Sequence, residues 1–381
     1  MQQQRSESPR TAGTPERMIS LGCADITQRE IDLVLECLRS GKISPGEKTQ
    51  QFEGMVAAYH RMAFGTYCNS GQSALHLSLE ALKLRHPGMR TVLVPALTYI
   101  STVHAVWNAG LEPVFCDVHP ATYNMDLSLL KRGTPYDVIL PVHMFGRSVQ
   151  IPPQSVPVIE DNCESFGAPG TGYGDLMCLS FYVAHTITTS VGGMVLTNRP
   201  ELNEDIKRLC NHGRVRGADL YAGLRTECVD ASVRFTFNDV GFSFKLGDLN
   251  AALGIGQMER VDAIIARRQA IASRLIAGLS DLDGLQLPGT EQNTFMMFPI
   301  VCATGALKSR LVDHLNAHGI ETRDMMPLTN QPIIRQKLGD LEARFPHAAR
   351  INQCGFYVGC HQRLEPDDVD YVVDVFHRFA Y

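Results

Sequence analysis

Apolar positions recur with a helical period in "TQREIDLVLECLRSGK". They fall at Ile31, Val34, Leu35 and Leu38, which predicts an amphipathic helix packed through that face. Thr27 and Glu30 form a capping box before it, and Gly41 ends it. "SGQSALHLSLEALKLR" (70–85) reads as a second helix that opens on small polar residues. Strands and helices then alternate. "TVLVP" is a short apolar strand, "TYISTVHAVWNAG" a helix closed by Gly110, and "EPVFCDV" a strand. "MDLSLLKRG" predicts a helix, and "YDVILPVHMFG", "VPVIEDN", "MCLSFYVA" and "GGMVLTN" predict strands. The last leads into the helix "PELNEDIKRLCNHG". Short buried strands between helices predict an α/β fold with a mostly parallel sheet covered on both faces. Ligands of such sheets bind beyond the carboxyl ends of the strands.

From Leu249 to Leu279 the pattern is continuously helical, as expected of a long connection to a second domain. Beyond it, strands ("TFMMFPIV", "GFYVGC") mix with helices ("GALKSRLVDHLNAHG", "EPDDVDYVVDVFHRFA"). The expected organisation is a disordered tail over 1–19 and a large domain over 20–250. A connecting helix and a smaller C-terminal α/β domain follow over 251–381. The opening "MQQQRSESPRTAGTPERM" is polar and lacks the apolar core of a secretory signal.

Composition narrows the function classes. The 381 residues are 44% hydrophobic and 20% charged, an ordinary globular balance. A net charge of −5 without a long basic run argues against nucleic acid or an anionic membrane as partner. No stretch approaches the ~20 consecutive apolar residues of a membrane span. The eleven cysteines form no C-x-x-C pair. Cys116, Cys178 and Cys302 lie in apolar strands, where they act as small hydrophobes. This usage fits a reducing cytoplasm, with no metal site expected.

Several positions carry candidate chemistry. Asp161 ends an apolar strand, where a carboxylate either pairs with a protonated cofactor ring nitrogen or caps the next segment. Glu164 is near enough to face the same ligand, or solvent. Gly71 opens a helix whose free N–H groups favour phosphate. Tyr99, at a strand-to-helix corner, either stacks on a planar ring or packs at a domain edge. Ser180 can bind phosphate or bond to backbone. His185, five residues later, is a proton carrier or a structural histidine.

The order and spacing of these stretches resemble the sugar aminotransferase family (DegT/DnrJ/EryC1/StrS). These are pyridoxal phosphate (PLP) enzymes of fold type I that act on nucleotide-linked 4-keto sugars. The resemblance runs over residues 20–381 through "NSGQSALHLSLEAL", "VLVPALTYISTVHAV", "VIEDNCESFGA", "GDLMCLSFYVAH", "GGMVLTN" and "VGFSFKLGDLNAALGIGQMERV". It implies that Asp161 pairs with the pyridinium nitrogen and Tyr99 stacks on the ring. Gly71, Gln72 and Ser180 would hold the phosphate. Glu164 stands where the family usually has Gln against the phenolic oxygen. Ser243, in "GFSFK", stands where a "GYN" Asn reaches the partner subunit's phosphate, so a homodimer is implied. Val191 replaces an acidic residue before the glycine pair.

His185 stands where the family has the lysine that binds the cofactor covalently. Imidazole cannot make that bond, yet it can move a proton near neutral pH. One branch with this replacement is the sugar 3-dehydratases. They use pyridoxamine phosphate (PMP) to remove the 3-hydroxyl of nucleotide-linked 4-keto-6-deoxy sugars, the His taking a C4′ proton. "EDNCESFGA" and "GFYVGCHQ" resemble the GDP-4-keto-6-deoxymannose 3-dehydratase type. "GIETRDMMPLTNQP" resembles the aminotransferases at least as well. The expected function is therefore such a dehydratase. The alternatives are an aminotransferase of the same substrates, with glutamate as amino donor, and a non-catalytic family member. A [2Fe–2S] cluster, found in another 3-dehydratase, is not expected: Cys210 and Cys228 make no close pair, and four thiolates are needed.

Overall fold

The computed structural model describes residues 17–215 and 236–380. Seven strands build the main sheet. They are β1 (Phe64–Cys68), β2 (Thr91–Pro95), β3 (Glu112–Cys116), β4 (Val138–Ile139), β5 (Ile159–Asp161), β6 (Leu176–Ser180) and β7 (Gly193–Thr197). The order β1-β7-β6-β5 continues into β4-β2-β3 through parallel bridges from Ile139 to Val158 and Val142 to Asp161. Only β7 runs against its neighbours. The sheet is thus mostly parallel, as the alternation predicts. Because β7 is reversed, its first residues lie at the same edge as the last residues of β5 and β6: Ser180 stands opposite Gly193. A second, antiparallel sheet in the order β10-β11-β9-β8 comprises β8 (Leu285–Gln286), β9 (Met297–Cys302), β10 (Thr322–Asp324) and β11 (Gly355–Gly359).

The first helices are α1 (Gln28–Ser40), α2 (Glu47–Tyr59), α3 (Gly71–Arg85), α4 (Ile100–Asn108) and α5 (Pro200–Cys210). α1 carries the expected capping box, and Gly41 ends it in the left-handed region at φ 71°. Its buried face is not the expected one. Glu30, Leu33 and Cys37 are buried, whereas Ile31 and Leu38 are exposed. Glu30 faces inward because Gln257 and Arg260 reach its carboxylate at 2.7 and 3.2 Å.

Other expectations shift for local reasons. "MDLSLLKRG" makes only the turn Leu127–Leu129, which Asp126 caps. "YDVILPVHMFG" contributes only β4, since Pro141 lacks an N–H and the chain turns at Met144–Gly146. The helix expected over 249–279 is two: α6 (Asp248–Met258) and α7 (Val261–Leu279). The break falls at Arg260, whose side chain turns to Asp25 and Glu30. The expected boundary at 250 thus falls inside α6, which packs on α1 and α2. The tail expected over 1–19 also overshoots: Ile19 is buried and bridges to Ile320. Residues 1–16 and Cys228 lie outside the described residues. The remaining helices are α8 (Gly305–Ala317), α9 (Pro332–Leu338), α10 (Pro346–Cys354) and α11 (Pro366–His377).

α7 joins two cores. Val261, Ile264 and Ile265 pack with Phe52 and Phe181 of the first. Ile271, Ala272, Leu275 and Leu279 pack with Phe298 and Phe356 of the second sheet. Between these two groups of apolar residues sits Arg268.

Candidate active site

The carboxyl ends of β5 and β6, the start of β7 and the N-terminus of α3 meet in one cup. Ser70 caps α3 by accepting from Ser73 N–H at 3.1 Å. The first-turn N–H groups of Gly71 and Gln72 then point out of the helix end. Gly71 is required here. A Cβ on it would lie 2.7 Å from Cys163 Sγ and 2.8 Å from Ser180 Cβ. Gly193 closes the other side, where a Cβ would meet Ser70 O at 2.2 Å. The positive end of α3, with its free N–H groups, thus lies against the Ser180 side chain, whose Oγ would be 3.3 Å from a Cβ on Gly71, a donor set that suits an anion. The Oδ1 of Asn69, one residue before the cap, is buried without a partner among the described residues.

Asp161 ends β5 and is 4% exposed. Its Oδ2 accepts from Thr102 Oγ1 at 3.0 Å and its Oδ1 from Cys163 N–H at 3.2 Å. It forms no ion pair among the described residues, and burial raises its pKa. A buried carboxylate aimed by two donors and lacking a cation fits a protonated ring nitrogen. Thr102 lies on α4, three residues after its N-cap Tyr99. Tyr99 is 60% exposed at the N-terminus of α4, the helix that carries Thr102.

Glu164 is buried and accepts from Phe145 N–H at 2.9 Å. Phe145 adopts φ 55°, rare for a bulky residue. Burial pushes the Glu164 pKa up to about 7; the Phe145 N–H opposes this and the nearby Asp161 charge adds to it. On the opposite face of β5, Glu160 accepts from His143 and from the N–H groups of Gly172 and Gly174, a structural knot beneath the cup.

His185 lies in the turn between β6 and β7. Phe181 N–H donates to Gly192 O, Thr189 N–H to Phe181 O, and His185 N–H to Tyr182 O. Its Nδ1 is 3.2 Å from Ser180 O. A carbonyl only accepts, so Nδ1 keeps the proton and Nε2 presents a lone pair. Burial depresses the imidazole to about 4, and the Arg268 charge adds to this against the Ser180 carbonyl. His185 is therefore neutral at pH 7.

The structure gathers Gly71, Gln72, Asp161, Glu164 and Ser180 at one sheet edge. His185 joins them from the following turn. Ser243 is exposed and accepts from Lys245 Nζ at 3.4 Å, while the next residue, Phe244, accepts from Asn69 N–H at 2.8 Å beside the α3 cap. Sequence reasoning missed Thr102; the Cys163 N–H bond to Asp161 is the cap that the strand end offered as the alternative. The only available signal was that Thr102 lies one helical turn after Tyr99. A groove of about 620 Å³ along β3, lined by Phe115, Lys131, Arg344 and His347, includes none of these residues. Among the described residues no group of His, Cys, Asp and Glu could hold a metal, and no helix is long and apolar enough to cross a membrane.

A model of the DegT/DnrJ/EryC1/StrS aminotransferase family matches residues 24–377. A GDP-perosamine synthase from Caulobacter vibrioides is 30% identical, over 93% of this chain and 96% of its own. A dTDP-4-dehydro-2,6-dideoxy-D-glucose 3-dehydratase from Saccharopolyspora spinosa is 28% identical, over 89% and 81%. Among solved structures, an E. coli GDP-4-keto-6-deoxy-D-mannose-3-dehydratase with bound hydrated PLP superposes with a TM-score of 0.81. It is 22% identical, over 94% of this chain and all of that one.

Proposed function

We propose, from the premise that this chain belongs to the DegT/DnrJ/EryC1/StrS aminotransferase family, that it is a PLP/PMP-dependent 3-dehydratase of a nucleotide-linked 4-keto-6-deoxy sugar. Members of the family are PLP-dependent sugar aminotransferases and dehydratases, and the chain is an enzyme of that kind, with PLP or PMP as cofactor. The cup fits the cofactor: a phosphate-shaped helix end, an uncompensated buried carboxylate and an exposed aromatic at its rim.

The observation that carries the reading is His185, which replaces an amine by a neutral imidazole with a free Nε2 lone pair. The bound cofactor supplies a conjugated electron sink. Asp161 holds the ring nitrogen protonated, so the sink stays strong. Gly71, Gln72 and Ser180 fix the phosphate, and Tyr99 covers the ring. With the cofactor held there, Nε2 of His185 would be the base for the C4′ proton, and the conjugated ring would supply the sink that loss of the 3-hydroxyl needs. No lysine stands at position 185 to carry the cofactor, which disfavours ordinary amino transfer. Ser243 is assigned to the partner subunit's phosphate in a cytoplasmic homodimer, and glutamate is the amino donor that regenerates PMP.

A second reading, amino transfer to the same substrate class, is supported by the similarity to a GDP-perosamine synthase. Mass spectrometry of the product from nucleotide-linked 4-keto-6-deoxy sugars, with PLP and glutamate, separates the two. The dehydratase gives a 3-deoxy sugar without nitrogen. A product that keeps nitrogen at C4 refutes it.

A further inference from the structure

We propose that Arg268 is a positioning residue for His185, clamping the turn that carries the imidazole onto the second sheet where the two cores meet. The inference rests on the reading of His185 as proton carrier. Arg268 lies at the middle of α7 and is 1% exposed. Its Nη2 donates to His185 O at 3.4 Å. Its Nη1 donates to Met296 O at 2.8 Å and more loosely to Phe295 O and Cys360 O, each at 3.4 Å. Its Nε donates to Gln362 Oε1 at 3.1 Å. One rigid fork thus holds the His185 turn, the entry to β9 and the exit of β11 together.

The segment before α1 presses on the same turn. A Cβ on Gly22 would meet Ala184 Cα at 3.3 Å, and one on Gly359 would meet Ser20 O at 2.2 Å. His185 therefore sits at the end of a stack that runs from the second sheet through residues 20–22.

The clamp is charged; burial opposes that charge, and the Asp25 carboxylate offsets it only from a distance. Arg268 makes no ion pair among the described residues. Asp25 is reached only through Gln362, whose Nε2 donates to Asp25 Oδ2 at 3.2 Å, and Asp25 is already paired with Arg260. The neighbouring thiols offer no anion, because burial raises both Cys23 and Cys360, the latter to about 12. His361, also close, is driven to about 4 by burial and by the Arg268 charge. The remaining titratable group near His185 is Tyr182, in edge contact on its own turn. A buried guanidinium, charged at every working pH, thus opposes protonation of His185 in the resting state and keeps Nε2 free to act as base.

The test uses the full-length protein labelled with ¹³C-histidine, titrated by NMR with and without PLP. The His185 resonance is assigned by its loss in His185→Asn. In Arg268→Gln the His185 midpoint rises but stays below the ordinary imidazole range, because burial is the larger cause of its depression, and kcat falls on the order of 10- to 100-fold with KM little changed. Arg268→Lys keeps the charge but not the fork, so the midpoint stays low while kcat still falls. Gln362→Glu leaves the guanidinium in place and sets a carboxylate on it, so the midpoint rises. If Arg268→Gln fails to fold, Gln362→Glu decides the charge effect and Arg268→Lys the geometry. A midpoint unmoved in both Arg268→Gln and Gln362→Glu overturns the proposal, as does full kcat in Arg268→Lys. A midpoint that moves in an enzyme whose turnover survives His185→Asn refutes the proton-carrier reading and leaves the clamp standing.

Discussion

Nδ1 of His185 lies 3.2 Å from the carbonyl oxygen of Ser180, so the end of β6 decides which imidazole nitrogen keeps its proton. The strand whose Ser180 we assign to the phosphate also orients the imidazole that we propose as the base. A change in the length of the turn between them would disturb both at once.

Replacement of that base is the sharpest test of the assignment. His185→Asn keeps polarity and removes the titratable nitrogen. Turnover is expected to fall on the order of 10²–10⁴-fold. PLP affinity, measured by absorbance titration, is expected to hold, because the residues assigned to ring and phosphate are untouched. Wild-type turnover in this variant would make His185 a spacer.

His185→Lys restores an amine at the end of the same turn. We expect a shifted cofactor absorbance and a cofactor–peptide adduct at position 185 after borohydride reduction. The wild-type protein gives none there. An adduct at Lys245, which lies 3.1 Å from His212 on the surface, would mean that the covalent role has moved.

Asp161→Asn removes the charge that would hold a ring proton. Each pKa unit of lost pairing is worth about 1.4 kcal/mol, a tenfold change in rate if it falls on the barrier. The amide also has one acceptor oxygen where two donors, Thr102 Oγ1 and Cys163 N–H, now bond. Turnover should be lost while circular dichroism shows a folded protein. Retained activity would leave Asp161 as a cap for the Cys163 segment.

Glu164 yields a prediction about stability. Its folded pKa of about 7 lies above the unfolded value of 4.5, so the folded protein binds the extra proton between these limits. Its stabilising contribution is complete below about 4.5 and is lost as pH rises through 7. Gln at this position can still accept from Phe145 N–H and never ionises. Glu164→Gln without cofactor should therefore gain roughly 1–3 kcal/mol over wild type at pH 8 and almost nothing at about pH 4, by urea unfolding. Equal curves at pH 8 would show that Glu164 does not ionise within the fold.

Local chemistry made parts of the protein readable from the chain alone. The Thr27–Glu30 capping box, the left-handed Gly41 and the alternation of β2, α4 and β3 rest on contacts within a few residues. So does Asp161 at a strand end six residues before the glycine of "SFGA". Tertiary structure decided the rest. Glu30 is buried in place of Ile31 because Gln257 and Arg260, more than two hundred residues away, supply its hydrogen bonds. The helix pattern over 249–279 hides a break because Arg260 is drawn to Asp25, and periodicity registers faces rather than partners. Thr102 reaches Asp161 only through the tertiary fold, whereas the Cys163 N–H bond to Asp161 is local, two residues on. Arg268 looks like a solvated helix charge in the sequence. It becomes a buried clamp because the end of one core and the start of the other leave backbone carbonyls there that need a donor.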